Sequence, residues 1–367
     1  MKKNLLYMLT AAAMLAGCAK NDVVDSEINK EGNLIGFSTY KNISRGNPVD
    51  DNTEFLTEDN AFGVTAFIKT AAGETPNTSP YMGTTSEGIK IVSDGTKWTY
   101  AQPSDQAYWP VNSETLDFYA YYPYGNAAIT AKTFTTTGLT LNYTVPDEEA
   151  NQVDLMYAVA KDQTKPTDKN SVTMPFKHAL TQVHFAIGTS ATNLYVDVAA
   201  NGIQIHNLKN AGTLTTVTGL ETDIWTGLTG SATYTVTSEA VNEAGYKVEN
   251  NAQTFTAIGT ANQALMLLPQ SLAIVTEADG NNLETGNYLT INCKIYQKLA
   301  DNTKIYLYGS ASEYALVTVG ISGEWKKNQK ITYNLNIGAT AGVLDPIEFE
   351  TSVETWSPVE GDTIEVK

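Results

Sequence analysis

The side chains of this 367-residue chain that could do chemistry are of few types: three histidines, two cysteines, 40 carboxylates and, among 23 basic residues, a single arginine, Arg45. Two histidines, His178 and His184, stand six apart in "FKHALTQVHFAI". On one strand, His178, Leu180, Gln182, His184 and Ala186 would share a face, and Ala179, Thr181, Val183, Phe185 and Ile187 the more apolar one. At ~3.3 Å per residue the two rings would lie about 20 Å apart, too far to ligate one metal, so a structural role is expected. Paired carboxylates can cleave glycosides, but with 40 acidic residues runs such as Asp147-Glu148-Glu149 and Asp50-Asp51 read as solvated surface. The chain has no Gly-x-Ser-x-Gly elbow, His-Glu-x-x-His, phosphate-binding glycine loop or Cys-x-x-Cys. These readings leave no catalytic residue, no metal set and no cofactor, and they argue against an enzyme.

The chemistry that remains is cleavage of the chain itself. Arg45 lies in "NISRGNPVD" (42–50), where Ser44 and Gly46 are small and Asn47 and Pro48 disfavour regular structure, a segment open to a protease. Every other basic residue is lysine, so an arginine-specific protease would cut the Arg45–Gly46 bond and leave the rest intact. A surface cation of no consequence is the alternative. A second processing site is read at the start. Lys2 and Lys3 precede an apolar run, Leu5 to Ala16, too short to span a bilayer and suited to a secretory signal. The run ends in Leu15-Ala16-Gly17-Cys18, which resembles a bacterial lipobox. There a lipoprotein signal peptidase cuts before the cysteine, and the Cys18 thiol carries diacylglycerol, tethering a soluble domain to a membrane. With Cys18 acylated no internal disulfide forms. The other cysteine, Cys293, shares an alternating apolar face with Ile291 and Ile295 and reads as a buried, inert thiol.

The elements that carry these sites read as strands. Twenty tyrosines, 27 glycines and abundant threonine favour strands and turns. Strand patterns cover Gly63 to Ile68, Leu116 to Tyr122, Gln182 to Ile187, Leu194 to Val198, Tyr234 to Val236, Ala264 to Leu268, Tyr288 to Tyr296, Lys304 to Tyr308, Leu316 to Ile321 and Lys330 to Ile337. Turn clusters between them have the spacing of β-sandwiches. Glu148 to Val153 is the best helical pattern. The polar run "KDQTKPTDKN" (161–170) reads as a connection between two β units, with a boundary near residue 172. A net charge of −17 repels nucleic acid and anionic lipid. In "YWPVNSETLDFYAYYPYG" (108–125), Phe118, Ala120 and Tyr122 alternate with Asp117, Tyr119 and Tyr121. A strand with one packed face explains most of these aromatics, and contact with a sugar or receptor is the alternative.

One strand pattern occurs at both ends of the chain. Before Arg45, Ile35, Phe37, Thr39, Lys41 and Ile43 alternate with Gly36, Ser38, Tyr40 and Asn42, giving a mostly apolar face. Near the C-terminus, Ile347, Phe349, Thr351, Val353 and Thr355 alternate with polar residues, so both segments read Ile-x-Phe-x-Thr. A C-terminal strand that copies the N-terminal one could fill the groove that one leaves, although two strands of a β protein can also match by chance. Before cleavage the joined strand outcompetes a newcomer, because its effective concentration is on the order of millimolar. After cleavage another subunit's strand can pair in its place, head to tail, and so extend a filament.

The lipobox, "IGFSTYKNISRG", "FGVTAFI", "YWPVNSETLDFYAYYP", "DLMYAVA", "MPFKHALTQVHFAI", "EWKKNQKITYNLNIG" and "IEFETSVETW" together resemble the fimbrillin (Mfa-like) family of Bacteroidales, over nearly the whole chain. The resemblance implies an all-β fold of two transthyretin-like β-sandwich domains in tandem, and a type V pilus subunit exported as a lipoprotein and cut after an arginine. The expected organisation is a signal peptide over 1–18, a propeptide with a removable strand over 19–45, and domains over 46–171 and 172–367, with a donor segment at 347–366. Expected partners are other pilin subunits, an arginine-specific protease, lipoprotein signal peptidase, and a host receptor or glycan, but no nucleic acid. The expected location is the outer membrane and the surface fimbria, lipid-anchored as precursor. A tip or accessory adhesin of the same pilus, and an anchored glycan-binding surface lipoprotein, are the alternative readings.

Overall fold

The structure, a computed structural model, describes residues 33–39, 52–110, 114–167, 171–216, 224–260, 264–273, 286–340, 343–344 and 348–355. Cys18, Ile43, Arg45, Gly46 and Ile347 lie outside them. The fold is all-β, as the turn-punctuated alternation predicts. Each strand pattern from Gly63 to Ile68 through Lys330 to Ile337 falls on a strand or runs a residue past one at an end.

The first sheet has six antiparallel strands. Across it run β10 (Lys177–His178), β8 (Met156–Gln163), β5 (Thr115–Tyr122), β2 (Ala61–Lys69), β3 (Ile89–Ser93) and β4 (Trp98–Tyr100). Beside it, β1 (Gly36–Thr39) pairs in parallel with β9 (Ser171–Met174). Ile35, Phe37, Val172 and Met174 of that pair bury against Phe62, Val64, Phe118 and Ala120 of the sheet.

β5 departs from the expectation of one packed face, since all eight of its residues are buried. The cause is the hairpin β6 (Ile129–Thr135) and β7 (Gly138–Thr144). It brings Phe134, Leu139 and Leu141 into one cluster with Tyr119 and Tyr121, so the second face of β5 is core as well. β7 then pairs with β13 (Ala211–Thr215), and β13 with β14 (Trp225–Thr229), so a four-stranded sheet joins residues from both sides of position 172.

Two further sheets enclose the remaining core. In one, β12 (Leu194–Leu208) pairs with β15 (Ala232–Thr235), β16 (Val241–Gly245) and β19 (Tyr288–Lys298). β19 in turn pairs with β20 (Lys304–Tyr308) and β21 (Ala315–Gly320). In the other, β11 (Thr181–Thr189) pairs with β17 (Thr256–Ile258), β18 (Leu265–Leu267) and, in parallel, β22 (Gln329–Ile337). β22 is followed at the edge by β23 (Glu348–Thr355). Cys293 is fully buried on β19 among Ile291 and Ile295, and burial pushes its thiol up to about 12, the inert state expected of it.

Three local expectations are corrected. "FKHALTQVHFAI" is two strands, not one. At Ala179 and Leu180 the chain leaves the first sheet, where Ala179 N–H donates to the Leu155 carbonyl, and enters the five-stranded one. His178 is thereby buried against Asp154, 2.9 Å from its carboxylate, while His184 belongs to a different sheet. Glu148 to Val153 holds only a 3-10 turn at Glu149–Asn151, too short for a helix. Finally, Lys161, Asp162 and Gln163 belong to β8.

Their polarity has a structural use. At a bulge between β5 and β8, Asp162 takes a left-handed φ of 55° and donates its N–H to Asp117 Oδ1 at 2.7 Å. Lys69 Nζ lies 2.9 Å from Asp117 and 2.6 Å from Asp162, and its ammonium holds the Asp162 carboxyl below its usual range. The same arrangement recurs between β12 and β16. Glu243, at φ 56°, donates its N–H to Asp197 Oδ1 at 2.7 Å, and Lys304 spans Asp197 and Glu243 at 3.8 and 3.4 Å.

Candidate functional site

The first candidate is the seat of β1. Its apolar residues are set by period-2 alternation. Ile35 and Phe37 are 0% and 5% exposed, whereas Gly36 and Ser38 are only half-buried. The strand has two backbone neighbours. At its start, Ile35 N–H donates to the Ala107 carbonyl, Trp109 N–H donates to the Asn33 carbonyl, and Leu34 bridges Tyr108 antiparallel. Along its length, Gly36 to Thr39 run beside Ser171 to Met174.

Side chains complete the seat. The Phe37 ring meets Phe62, Tyr100 and Phe118 edge-on, with centroids 5.8, 6.1 and 6.1 Å away. The Tyr100 hydroxyl donates to the Ile35 carbonyl at 2.8 Å, and burial pushes the pKa of that hydroxyl well up. Trp98 Nε1 donates to Thr39 Oγ1 at 3.3 Å, and Lys165 Nζ to Asn33 Oδ1 at 2.9 Å. Burying Ile35 and Phe37 stabilises the seated strand by roughly 1.5–3 kcal/mol each, and each edge-on aromatic pair adds about 0.5–1.5 kcal/mol.

The C-terminal strand is held differently. β23 pairs along its whole length with β22, from Gln329 opposite Thr355 to Asn336 opposite Glu348, with Phe349 opposite Leu335. Its other edge has no strand partner among the described residues. Ile331 and Tyr333 of β22 are buried, yet Val353 and Thr351 directly across from them are exposed, Val353 by 53%. Among the side chains described on β23, those of Thr351 and Val353 meet solvent opposite the buried residues of β22. Of the residues the sequence singled out, the structure seats Ile35, Phe37 and Thr39 in one groove and places Phe349, Thr351 and Val353 on the far edge of another sheet. Alternation could not reveal that Val172, Met174, Tyr100 and the 107–109 segment build the groove. The four residues of β9 follow a polar run and carry no long pattern.

A fimbrillin-like family model matches residues 48–356. The chain belongs to the fimbrillin-like family. Fimbrium subunit Fim1C of Phocaeicola vulgatus is 24% identical over 400 residues, covering 100% of both chains. A crystal structure of a fimbrial protein from Bacteroides vulgatus ATCC 8482 superposes with a TM-score of 0.61 at 20% identity, over 89% of this chain and all of that one. The likeness shows a shared fold. As a fimbrillin-like chain, this protein is a structural component of a cell-surface appendage rather than an enzyme, and its partners are other fimbrial subunits.

Proposed function

We propose that this fimbrillin-like protein is a pilus subunit whose assembly is gated by removal of its N-terminal strand. The precursor leaves the cell as a lipoprotein, cut before Cys18 by lipoprotein signal peptidase and anchored in the outer membrane. An arginine-specific protease then cuts between Arg45 and Gly46. The strand bearing Ile35, Phe37, Thr39 and Ile43 departs, and the segment 347–366 of another subunit, with Ile347, Phe349, Thr351 and Val353, takes its place. On this reading the mature subunit begins at Gly46 and is two tandem β-sandwich domains in an adhesive fimbria.

The observation that carries the reading is the contrast between the two Ile-x-Phe-x-Thr strands. The N-terminal one is buried in a groove with backbone neighbours and an aromatic socket, six residues before the chain's single arginine. The C-terminal one lies at a sheet edge with Val353 in solvent, a cheaper strand to release. The tether keeps β1 seated at an effective concentration on the order of millimolar, and cleavage abolishes that advantage. Once empty, the groove presents unpaired backbone on β9 and the 107–109 segment, which favours strand addition. Cells carrying Arg45→Ala should display a lipid-anchored monomer and no filaments, scored by electron microscopy and by the size of the surface protein on denaturing gels. Normal filaments from that variant would refute the reading.

A further inference from the structure

We propose that the groove between the Tyr81–Gly88 loop and the Ser104–Tyr108 segment is a binding site for a neutral saccharide. This goes beyond the assembly reading and does not rest on it. The groove is an open depression of about 530 Å³, within the roughly 300–1,000 Å³ range of small-molecule sites. Its floor contains Met82 and Ile89, both buried, and its rim carries Tyr81 and Tyr108, each 36% exposed. Most other aromatics of the 108–125 run are consumed by the core, so Tyr108 is what remains of that run at this surface.

The groove is braced. The Tyr81 hydroxyl donates to the Tyr108 carbonyl and ties the two walls together. Thr65 Oγ1 donates to the Thr84 carbonyl at 2.8 Å, and Thr84 Oγ1 accepts from the N–H groups of Glu87 and Gly88. Gly83 and Gly88 have φ of +81° and +75°, and a Cβ at either would come 2.8 Å from the Val64 carbonyl. Only glycine lets the loop lie this close to β2, which fixes this wall of the depression against the sheet.

Its chemistry matches the two surfaces of a sugar. A pyranose offers an apolar C–H face, which packs on a tyrosine ring, and a rim of hydroxyls, which the side chains of Thr84, Ser104, Asp105 and Gln106 can meet as donors and acceptors. Charge selects among sugars. Asp105 is the one ionisable acid in the lining and no basic residue joins it, while Glu114 acts electrostatically on Tyr81. With a net charge of −17 on the whole chain, sialylated, sulfated and phosphorylated glycans are disfavoured.

The test is a printed array of neutral, sialylated and sulfated oligosaccharides probed with the unpolymerised full chain, followed by calorimetric titration of the neutral oligosaccharides that score. Binding of a neutral oligosaccharide is expected, weakened about tenfold or more by Tyr81→Ala and by Tyr108→Ala. Because either substitution could disturb the loop, Ser104→Trp supplies a second variant: its bulk enters from an exposed position and should abolish binding while thermal unfolding stays unchanged. Binding confined to anionic glycans, no binding at all, or neutral binding indifferent to Ser104→Trp would each overturn the proposal. Filament formation by Ser104→Trp, an exposed position outside the β1 seat, is scored separately and reports on the assembly reading.

Discussion

His184 shows what burial does to a single titratable group. Its Nε2 is buried with no hydrogen-bond partner, and burial, with the charge of Lys330 on the neighbouring strand, lowers its pKa from 6.5 to about 4. The folded chain therefore keeps this ring neutral where the unfolded chain protonates it. Its contribution to stability is complete above pH 6.5 and is lost as pH falls from 6.5 towards 4, by up to about 1.4 kcal/mol per pH unit. Denaturant unfolding of the protein and of His184→Gln, at steps from pH 7 to pH 4, should show the variant losing less stability over that window. Equal losses would place the effect elsewhere. The sequence distinguished the histidines poorly, because the crossing at Ala179 and Leu180 depends on which sheets accept the chain. It marked Ile35, Phe37 and Cys293 well, since alternation states which way a strand residue points.

Strands are the scale at which the sequence is most legible, and β8 shows where that stops. The polar start of "KDQTKPTDKN" resembles a linker, but Asp162 within it makes the bulge that Asp117 and Lys69 fasten. Charged residues that serve a distant carboxylate look, in one dimension, like solvated chain. Because Asp117 and Lys69 are both buried, Asp117→Ala leaves Lys69 partly uncompensated and should destabilise the protein by about 3–5 kcal/mol in denaturant titrations, far more than a surface acid would. A cost below about 1 kcal/mol would show that the bulge holds without its fastening. The N-terminal strand yields a different kind of prediction. Phe37→Ala should cost about 3–5 kcal/mol in the uncut chain, where the ring fills its socket of Phe62, Tyr100 and Phe118. In chain cut after Arg45 and freed of the N-terminal fragment it should cost nothing. Thermal unfolding of both forms checks the pair, and a penalty that persists after cleavage would mean the strand never leaves.

At the scale of the whole molecule, the large core runs from the second face of β5 through the β6–β7 hairpin to the sheets built on β11 and β12. β1 instead packs into the separate, smaller cluster. Losing β1 therefore opens one edge of the molecule and leaves the larger core intact, as the proposed processing requires. The most direct test of that claim is the oligomeric state of the unlipidated precursor before and after digestion with an arginine-specific protease, followed by intact mass and light scattering. The precursor should be a monomer before digestion. After it, the mature chain should start at Gly46 and grow into particles of many subunits, while Arg45→Ala remains uncut and monomeric. A cut chain that stays monomeric after its N-terminal fragment has gone, or an uncut precursor that polymerises as readily, would contradict it.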